Sequence, residues 1–160
     1  MNLISFEKVY EENRKLDAIF VKKYDHPLLV KKNKLELLVE IGELANETRC
    51  FKYWSSKPCD RELVGLELAD CFIMTLCFFN VLNVKLDEEF PTSDIEGDNI
   101  DCFFKIYEET VTFINTESCE TLKKLFVSLI LLGEKLGFSE HEIIEKCLTK
   151  IAIDMKRLSV

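Results

Sequence analysis

The sequence is poor in residues that interrupt helices: its 160 residues include only 5 Gly and 3 Pro. Helix-forming Leu, Glu, Lys and Ile are abundant, and no segment alternates apolar and polar residues with the two-residue period of a strand. The length suits one domain with one hydrophobic core. We therefore predict a single all-α domain over residues 1–160, a bundle of about six helices.

Basic residues are also in deficit. The 21 Lys and Arg residues face 29 Asp and Glu residues, which gives a formal net charge of -8. A surface that binds nucleic acid needs an excess of basic side chains, so this composition argues against nucleic acid as a partner. It still permits a small anionic ligand that is held through a metal ion.

Signals for a membrane or for secretion are missing as well. The longest uncharged run, CFIMTLCFFNVLNV, covers Cys71–Val84 and is shorter than the roughly 20 residues of a membrane-spanning helix. The N-terminal segment MNLISFEKVYEENRK lacks the basic and apolar regions of a signal peptide. The 7 cysteines include no Cys-x-x-Cys pair, which is typical of reduced thiols. We expect a cytoplasmic protein with no membrane partner.

Turn and capping signals divide the chain. Asp60 is a plausible N-cap, and Ser139-x-x-Glu142 is a capping box. A break near Asn33 is possible within the second helix. The predicted helices span about Ser5–Lys23, Leu28–Trp54, Arg61–Val84, Ile100–Ile114 and Cys119–Leu136, and a sixth runs from the capping box to about Leu158.

The second predicted helix carries acids in an otherwise apolar sequence, ELLVEIGELANETRC. At about 100° per residue, its four glutamates fall in a stripe about 60° wide. These residues are Glu36, Glu40, Glu43 and Glu47. A solvated helix shows a broad polar face, whereas this stripe is narrow and has apolar residues on both sides.

The third predicted helix repeats the pattern with Glu67 and Asp70, which lie on one face, and no charged residue follows until after Val84. A carboxylate among apolar residues is unfavourable unless it is paired or binds a metal ion. Acid pairs such as Glu40-x-x-Glu43 are also frequent on solvated faces, but the second pair favours a metal site. An all-oxygen site suits Mg²⁺ or Mn²⁺.

Histidine is scarce, which argues against a di-iron site and a zinc site. The two histidines are His26 and His141, and neither follows a glutamate by three residues as a di-iron bundle requires. The Cys and His spacing of a zinc site is absent too.

These acids carry a family resemblance. Glu40-x-x-Glu43 followed by Glu67-x-x-Asp70 resembles the metal-binding signature of the all-α nucleoside triphosphate pyrophosphatases, the MazG-like superfamily. The segment VEIGELANETRCFKYWS, residues 39–55, is similar to the dimeric all-α dUTPases. Leu16-Asp17 and the segment GFSEHEIIEKCLTK, residues 137–150, fit the same family.

The resemblance implies a homodimeric helical bundle that hydrolyses dUTP, with dUDP as a further candidate, to dUMP in a reaction that depends on Mg²⁺. By the same resemblance, Glu40, Glu43, Glu67 and Asp70 would bind the metal ions, and Glu40 or Glu43 would also activate water. The residues expected to contact the nucleotide are Asn13, Glu47, Lys52, Trp54, Lys150 and Arg157.

The C-terminal segment departs from the family pattern. Cys147 stands for a tyrosine, Ile151 and Asp154 for two asparagines, and Leu158 for a glutamine. These departures leave the base specificity open. The alternatives are a related pyrophosphatase of other or non-canonical nucleotides and a non-catalytic dimeric bundle.

Overall fold

A computed structural model describes residues 3–25 and 31–159, which contain six α-helices and no strand. A short 3₁₀ turn at Ile4–Phe6 leads into the first helix. The helices are α1 Glu7–Tyr24, α2 Lys31–Thr48, α3 Arg61–Leu82, α4 Asn99–Thr116, α5 Cys119–Lys135 and α6 Glu140–Leu158. The all-α prediction is confirmed.

The predicted helix starts at Asp60 and Ser139 are also confirmed. The Asp60 carboxylate accepts hydrogen bonds from the backbone N–H groups of Glu62 and Leu63, at 2.9 and 3.4 Å. Ser139 and Glu142 form the reciprocal capping box at the start of α6. The predicted start of the second helix at Leu28 lies outside the described residues, as does His26, and α2 runs through Asn33 without a break.

The prediction that α2 extends to Trp54 was wrong, because the helix ends at Thr48. Arg49 adopts a left-handed backbone conformation, with φ of 60°. Its guanidinium donates hydrogen bonds to Ser55 Oγ at 2.7 Å and to the Lys57 carbonyl at 2.9 Å. These bonds stabilise a loop in place of two further helical turns, so Lys52 and Trp54 lie on that loop.

Helix α3 forms the centre of the bundle and packs against α1, α2, α5 and α6. Its length and composition would allow it to cross a membrane, but 67% of its most apolar 18-residue segment is buried inside the protein. In a buried aromatic cluster, Phe72 of α3 stacks on Phe6 and meets Phe126 edge to face, and Phe79 of α3 packs at a tilt against Phe126. The acids of α3 are therefore held on a helix that is fixed on most of its sides.

All seven cysteines are free thiols. Cys71, Cys77, Cys102 and Cys147 are buried, whereas Cys59 and Cys119 are exposed. The expectation of reduced cysteines without a disulfide framework agrees with this arrangement.

Candidate metal centre and adjoining pocket

The acids of α2 and α3 meet in a pocket of about 290 Å³. Helices α1, α2, α3 and α6 each contribute to its wall. Its lining residues are Leu16, Phe20, Glu36, Glu40, Glu43, Glu67, Asp70, Ile73, Met74, Lys150 and Asp154.

Three carboxylates at this pocket are close enough to share one ion. Glu40, Glu67 and Asp70 each offer an oxygen, and these oxygens all lie within 4.8 Å of one another. The three-residue spacing puts Glu67 and Asp70 on one face of α3, and the packing of α2 against α3 brings Glu40 to them. Glu43 lines the same pocket but is exposed and lies outside this group of three.

The electrostatics of this cluster show that its negative charge is poorly compensated. Burial, together with the neighbouring carboxylates, raises the pKa of Glu40 to about 7. Burial and the charge of Asp70 also raise the pKa of Glu67. Burial raises the pKa of Asp70 even though it has a cationic partner. Carboxylates that resist ionisation in this way favour a bound divalent cation, and their hard oxygen donors suit Mg²⁺ or Mn²⁺.

The cationic partner of Asp70 is Lys150 of α6, at 2.7 Å between Nζ and Oδ2. Burial lowers the pKa of Lys150, but the hydrogen bond to Asp70 and the charges of the nearby acids have the larger combined effect. The pKa of Lys150 is therefore raised. Of the residues that line the pocket, six carry carboxylates and Lys150 alone carries a basic group. A divalent ion therefore fits the charge of this site as well as its donors.

A second, mostly apolar pocket of about 240 Å³ adjoins the acidic one. The two pockets share five lining residues, and we call the two together the cleft. The shared residues are Leu16, Phe20, Glu36, Ile73 and Met74, and the second pocket adds Asp17, Tyr24, Asn33 and Cys77.

Asp17 is the buried acid of this second pocket. Its Oδ2 accepts hydrogen bonds from Asn80 Nδ2 at 3.1 Å and from Asn13 Nδ2 at 3.5 Å. Burial raises the pKa of Asp17 to about 6, although hydrogen bonds from Asn80 and Cys77 oppose that rise. Asn13 also donates to the Ile73 carbonyl at 3.3 Å. Its own Oδ1 is buried and has no hydrogen-bond partner among the residues that the structure describes.

Three of the predicted nucleotide contacts lie in the cleft or interact with residues of its wall. Lys150 lines it, and Asn13 reaches it through Asp17. The charge of Glu47 contributes to the raised pKa of Glu67, although burial and the acids Asp70 and Glu43 contribute more.

Three predicted contacts lie away from the lining of the cleft. Lys52 lies over the ring of Phe51, at 5.7 Å, on the loop after α2. Trp54, on the same loop, is 64% exposed. Arg157 is exposed near the end of α6 and donates to Asp154 at 3.4 Å.

Sequence reasoning missed the apolar part of the cleft. Phe20, Ile73 and Met74 line both pockets, but in the sequence they match the apolar pattern of ordinary core residues. Asp17 had a usable signal, because Asn13 and Asp17 lie one turn apart on the buried face of α1. Asp17 lines the apolar pocket, whereas Asn13 contacts that pocket through its hydrogen bond to Asp17.

The chain matches the model of one protein family, described as dUTPase, over residues 5–160. The match therefore covers all six helices and both pockets. None of the curated proteins matches the chain.

Proposed function

The chain belongs to the dUTPase family, and we propose that its acidic pocket hydrolyses dUTP to dUMP and pyrophosphate with the help of Mg²⁺ or Mn²⁺. Membership makes the protein a nucleoside triphosphate pyrophosphohydrolase of the dUTP diphosphatase type. The observation that carries the proposal is the group formed by Glu40, Glu67 and Asp70, whose oxygens lie within 4.8 Å of one another. This group adjoins an apolar pocket that can take a base.

Glu40, Glu67 and Asp70 would hold the metal, and Glu43, on the wall of the same pocket, would complete the set. A bound divalent ion would neutralise phosphate oxygens and lower the pKa of a coordinated water. Glu40 or Glu43 would orient that water or accept its proton. No protein nucleophile is required, since phosphoryl transfer depends mainly on positioning and charge stabilisation.

The nucleotide would span the two pockets. Its base would lie in the apolar pocket beside Leu16 and Phe20, near the carboxylate of Asp17. Its phosphates would lie over the acidic pocket, where Lys150 is the basic side chain of the wall. Asn13 would support the base indirectly by its hydrogen bond to Asp17.

The family resemblance also implies a homodimer and dUDP as a second substrate, and the reduced cysteines favour the cytoplasm. Lys52 and Trp54 would then contact the nucleotide from the exposed loop after α2, and Glu47 and Arg157 would contact the parts of the nucleotide that extend beyond the cleft. Light scattering coupled to size-exclusion chromatography measures the mass: twice 18.7 kDa is the expected result, and a stable monomer would contradict the dimer.

A related pyrophosphatase with a different base preference is the second candidate. The observation that favours it is the presence of carboxylates at the cleft, Asp17 in the apolar pocket and Asp154 in the acidic one. An ionised carboxylate accepts hydrogen bonds and donates none. It would therefore accept a hydrogen bond from the amino group of cytosine as readily as from the ring N–H of uracil, which makes cytosine nucleotides candidates beside dUTP.

The test is pyrophosphate release from dUTP, dUDP, dCTP and dATP, with Mg²⁺, Mn²⁺ or EDTA. We expect turnover of dUTP that needs the metal ion, and a loss of at least about a hundredfold in kcat for Glu67→Gln, the scale seen when one key electrostatic group is removed. Comparable turnover of dCTP or dATP would favour the second candidate. No turnover of any nucleotide would favour the non-catalytic bundle.

The matched control is Glu62→Gln. Glu62 lies on the same helix as Glu67, but it is exposed and pairs with Lys146. We expect near-normal turnover in this variant. If Glu67→Gln also kept near-normal turnover, the metal role of Glu67 would be refuted.

A further inference from the structure

The ion pair between Lys150 and Asp70 uses an oxygen of one of the three acids of the metal centre. The Lys150 and Asp70 side chains are only 18% and 14% exposed, and their polar atoms are 2.7 Å apart. Asp70 also belongs to the group whose oxygens lie within 4.8 Å of one another. The ammonium group is therefore bound to the cluster where a divalent ion would bind.

We propose that Lys150 is the counter-ion of Asp70 in the metal-free protein and that it leaves Asp70 when a divalent ion binds. The proposal rests on the metal site proposed above. An ammonium group and a divalent ion repel each other at such short range, and the effect is strong in a partly buried site. The two cations therefore compete for the same cluster of carboxylates.

Asp154 would give Lys150 a second partner. Asp154 lies one turn further along α6 and lines the same pocket, and its charge acts favourably on the Lys150 ammonium. A phosphate group bound over the acidic pocket would be an equally suitable partner. Lys150 would thus become available to the phosphates only when Asp70 is occupied by the metal ion.

This exchange links the two ligands. Metal binding would release Lys150 for the phosphates, and phosphate binding would keep Lys150 away from Asp70, so each ligand would strengthen the binding of the other. A lysine that only fastened α6 to α3 would give no such linkage. When the charge of Lys150 is removed, the exchange predicts tighter metal binding, whereas a role in fastening the helices alone predicts equal or weaker binding.

The experiment measures Mn²⁺ affinity by isothermal titration calorimetry on the full chain without nucleotide. For Lys150→Met we expect Mn²⁺ to bind at least about tenfold more tightly than to the unaltered protein, since a competing charge is gone. Lys150→Arg keeps the charge and should stay close to the unaltered protein. In steady-state assays at saturating Mn²⁺, Lys150→Met should raise the KM for dUTP, because a phosphate contact is lost.

Lys146→Met is the matched control. Lys146 lies one turn earlier on α6 and pairs with Glu62 of α3, away from the acidic pocket. Its loss removes an ion pair between the same two helices, yet Mn²⁺ affinity should stay unchanged. Lys150→Gln supplies a second neutral variant if the Met variant does not fold, and it should also bind Mn²⁺ more tightly.

Equal or weaker Mn²⁺ binding by the folded neutral variants would overturn the exchange while the metal site stands. Tighter binding by Lys146→Met to the same degree would also overturn it, because the effect would then be one of net charge alone. Absence of Mn²⁺ binding by the unaltered protein would overturn the metal site and the exchange together.

Discussion

Replacement of Glu40 by Gln should stabilise the metal-free protein at pH 8 and have little effect near pH 4.5. Glu40 has its pKa raised from 4.5 to about 7 by burial and by the neighbouring carboxylates, of which Asp70 and Glu43 contribute most. Its ionised form is therefore disfavoured in the folded state. Gln keeps the size and polarity of the side chain without the charge.

The sign of the pH dependence follows from proton binding. Between pH 4.5 and about 7 the folded protein holds a proton on Glu40 that the unfolded chain has already released. The free energy of unfolding therefore falls as the pH rises through this window and levels off above it. Glu40→Gln removes this dependence, so its advantage should grow from pH 4.5 to pH 7.

The size of the effect follows from the pKa shift. The full shift corresponds to about 3 kcal/mol, and solvent screening of a partly exposed side chain reduces this to about 1–2 kcal/mol. For a chain of this length, that is an increase of about 3–6 °C in Tm.

Urea unfolding in EDTA at pH 5, 6, 7 and 8 would measure the difference. Glu62→Gln, an exposed change on α3, is the control and should stay within about 0.5 kcal/mol at every pH. The reasoning would be refuted if Glu40→Gln were no more stable than the unaltered protein at pH 8, or if its advantage were the same at pH 5.

Three further changes test other parts of the structure. Ser139→Ala removes the capping box of α6 and should cost about 1 kcal/mol in urea unfolding; an unchanged midpoint would contradict the role of the cap. Gly133→Ala should cost about 1–3 kcal/mol, because the added Cβ would lie 2.7 Å from Ile143 Cδ1 and 3.1 Å from Leu68 Cδ2; wild-type stability would show that these two side chains can turn aside without loss of packing. Burial raises the pKa of Asp17 from 3.8 to about 6, so Asp17→Asn should make the stability of the metal-free protein less dependent on pH in that range. The same change should alter the ratio of kcat/KM for dUTP to kcat/KM for dCTP. An unchanged ratio would mean that the base binds elsewhere.

Local signals were sufficient to predict most of the helices. The apolar run after Asp70 and the cap at Asp60 define α3 by themselves, because both signals lie within the helix or directly before it. The end of α2 was not predictable in this way. It depends on Arg49, whose guanidinium donates hydrogen bonds to Ser55 and Lys57. Helix propensities do not describe contacts between residues within a loop, so they could not predict this helix end.

The acidic cluster of Glu40, Glu67 and Asp70 was partly predictable for a similar reason. The three-residue spacing puts Glu67 and Asp70 on one face of their helix. The stripe of acids on α2 indicated that a second group of acids on a neighbouring helix would complete a metal site. The ion pair of Lys150 with Asp70 was not predictable from the residues, since it depends on how α6 packs against α3. The apolar pocket beside the acids was hidden for the same reason, because three helices build it.

The departures at the C-terminal segment carry unequal weight once the orientation of α6 is considered. Cys147 and Ile151 are buried in the hydrophobic core, so their side chains bear on packing and not on the lining of the cleft. Asp154 alone among the departures lines the acidic pocket, and Leu158 packs against the core. If the base lies in the apolar pocket as proposed, its direct contacts would come from the wall of that pocket, where Asp17 is the buried acid. Base preference should then respond to Asp17 more than to Cys147 or Ile151.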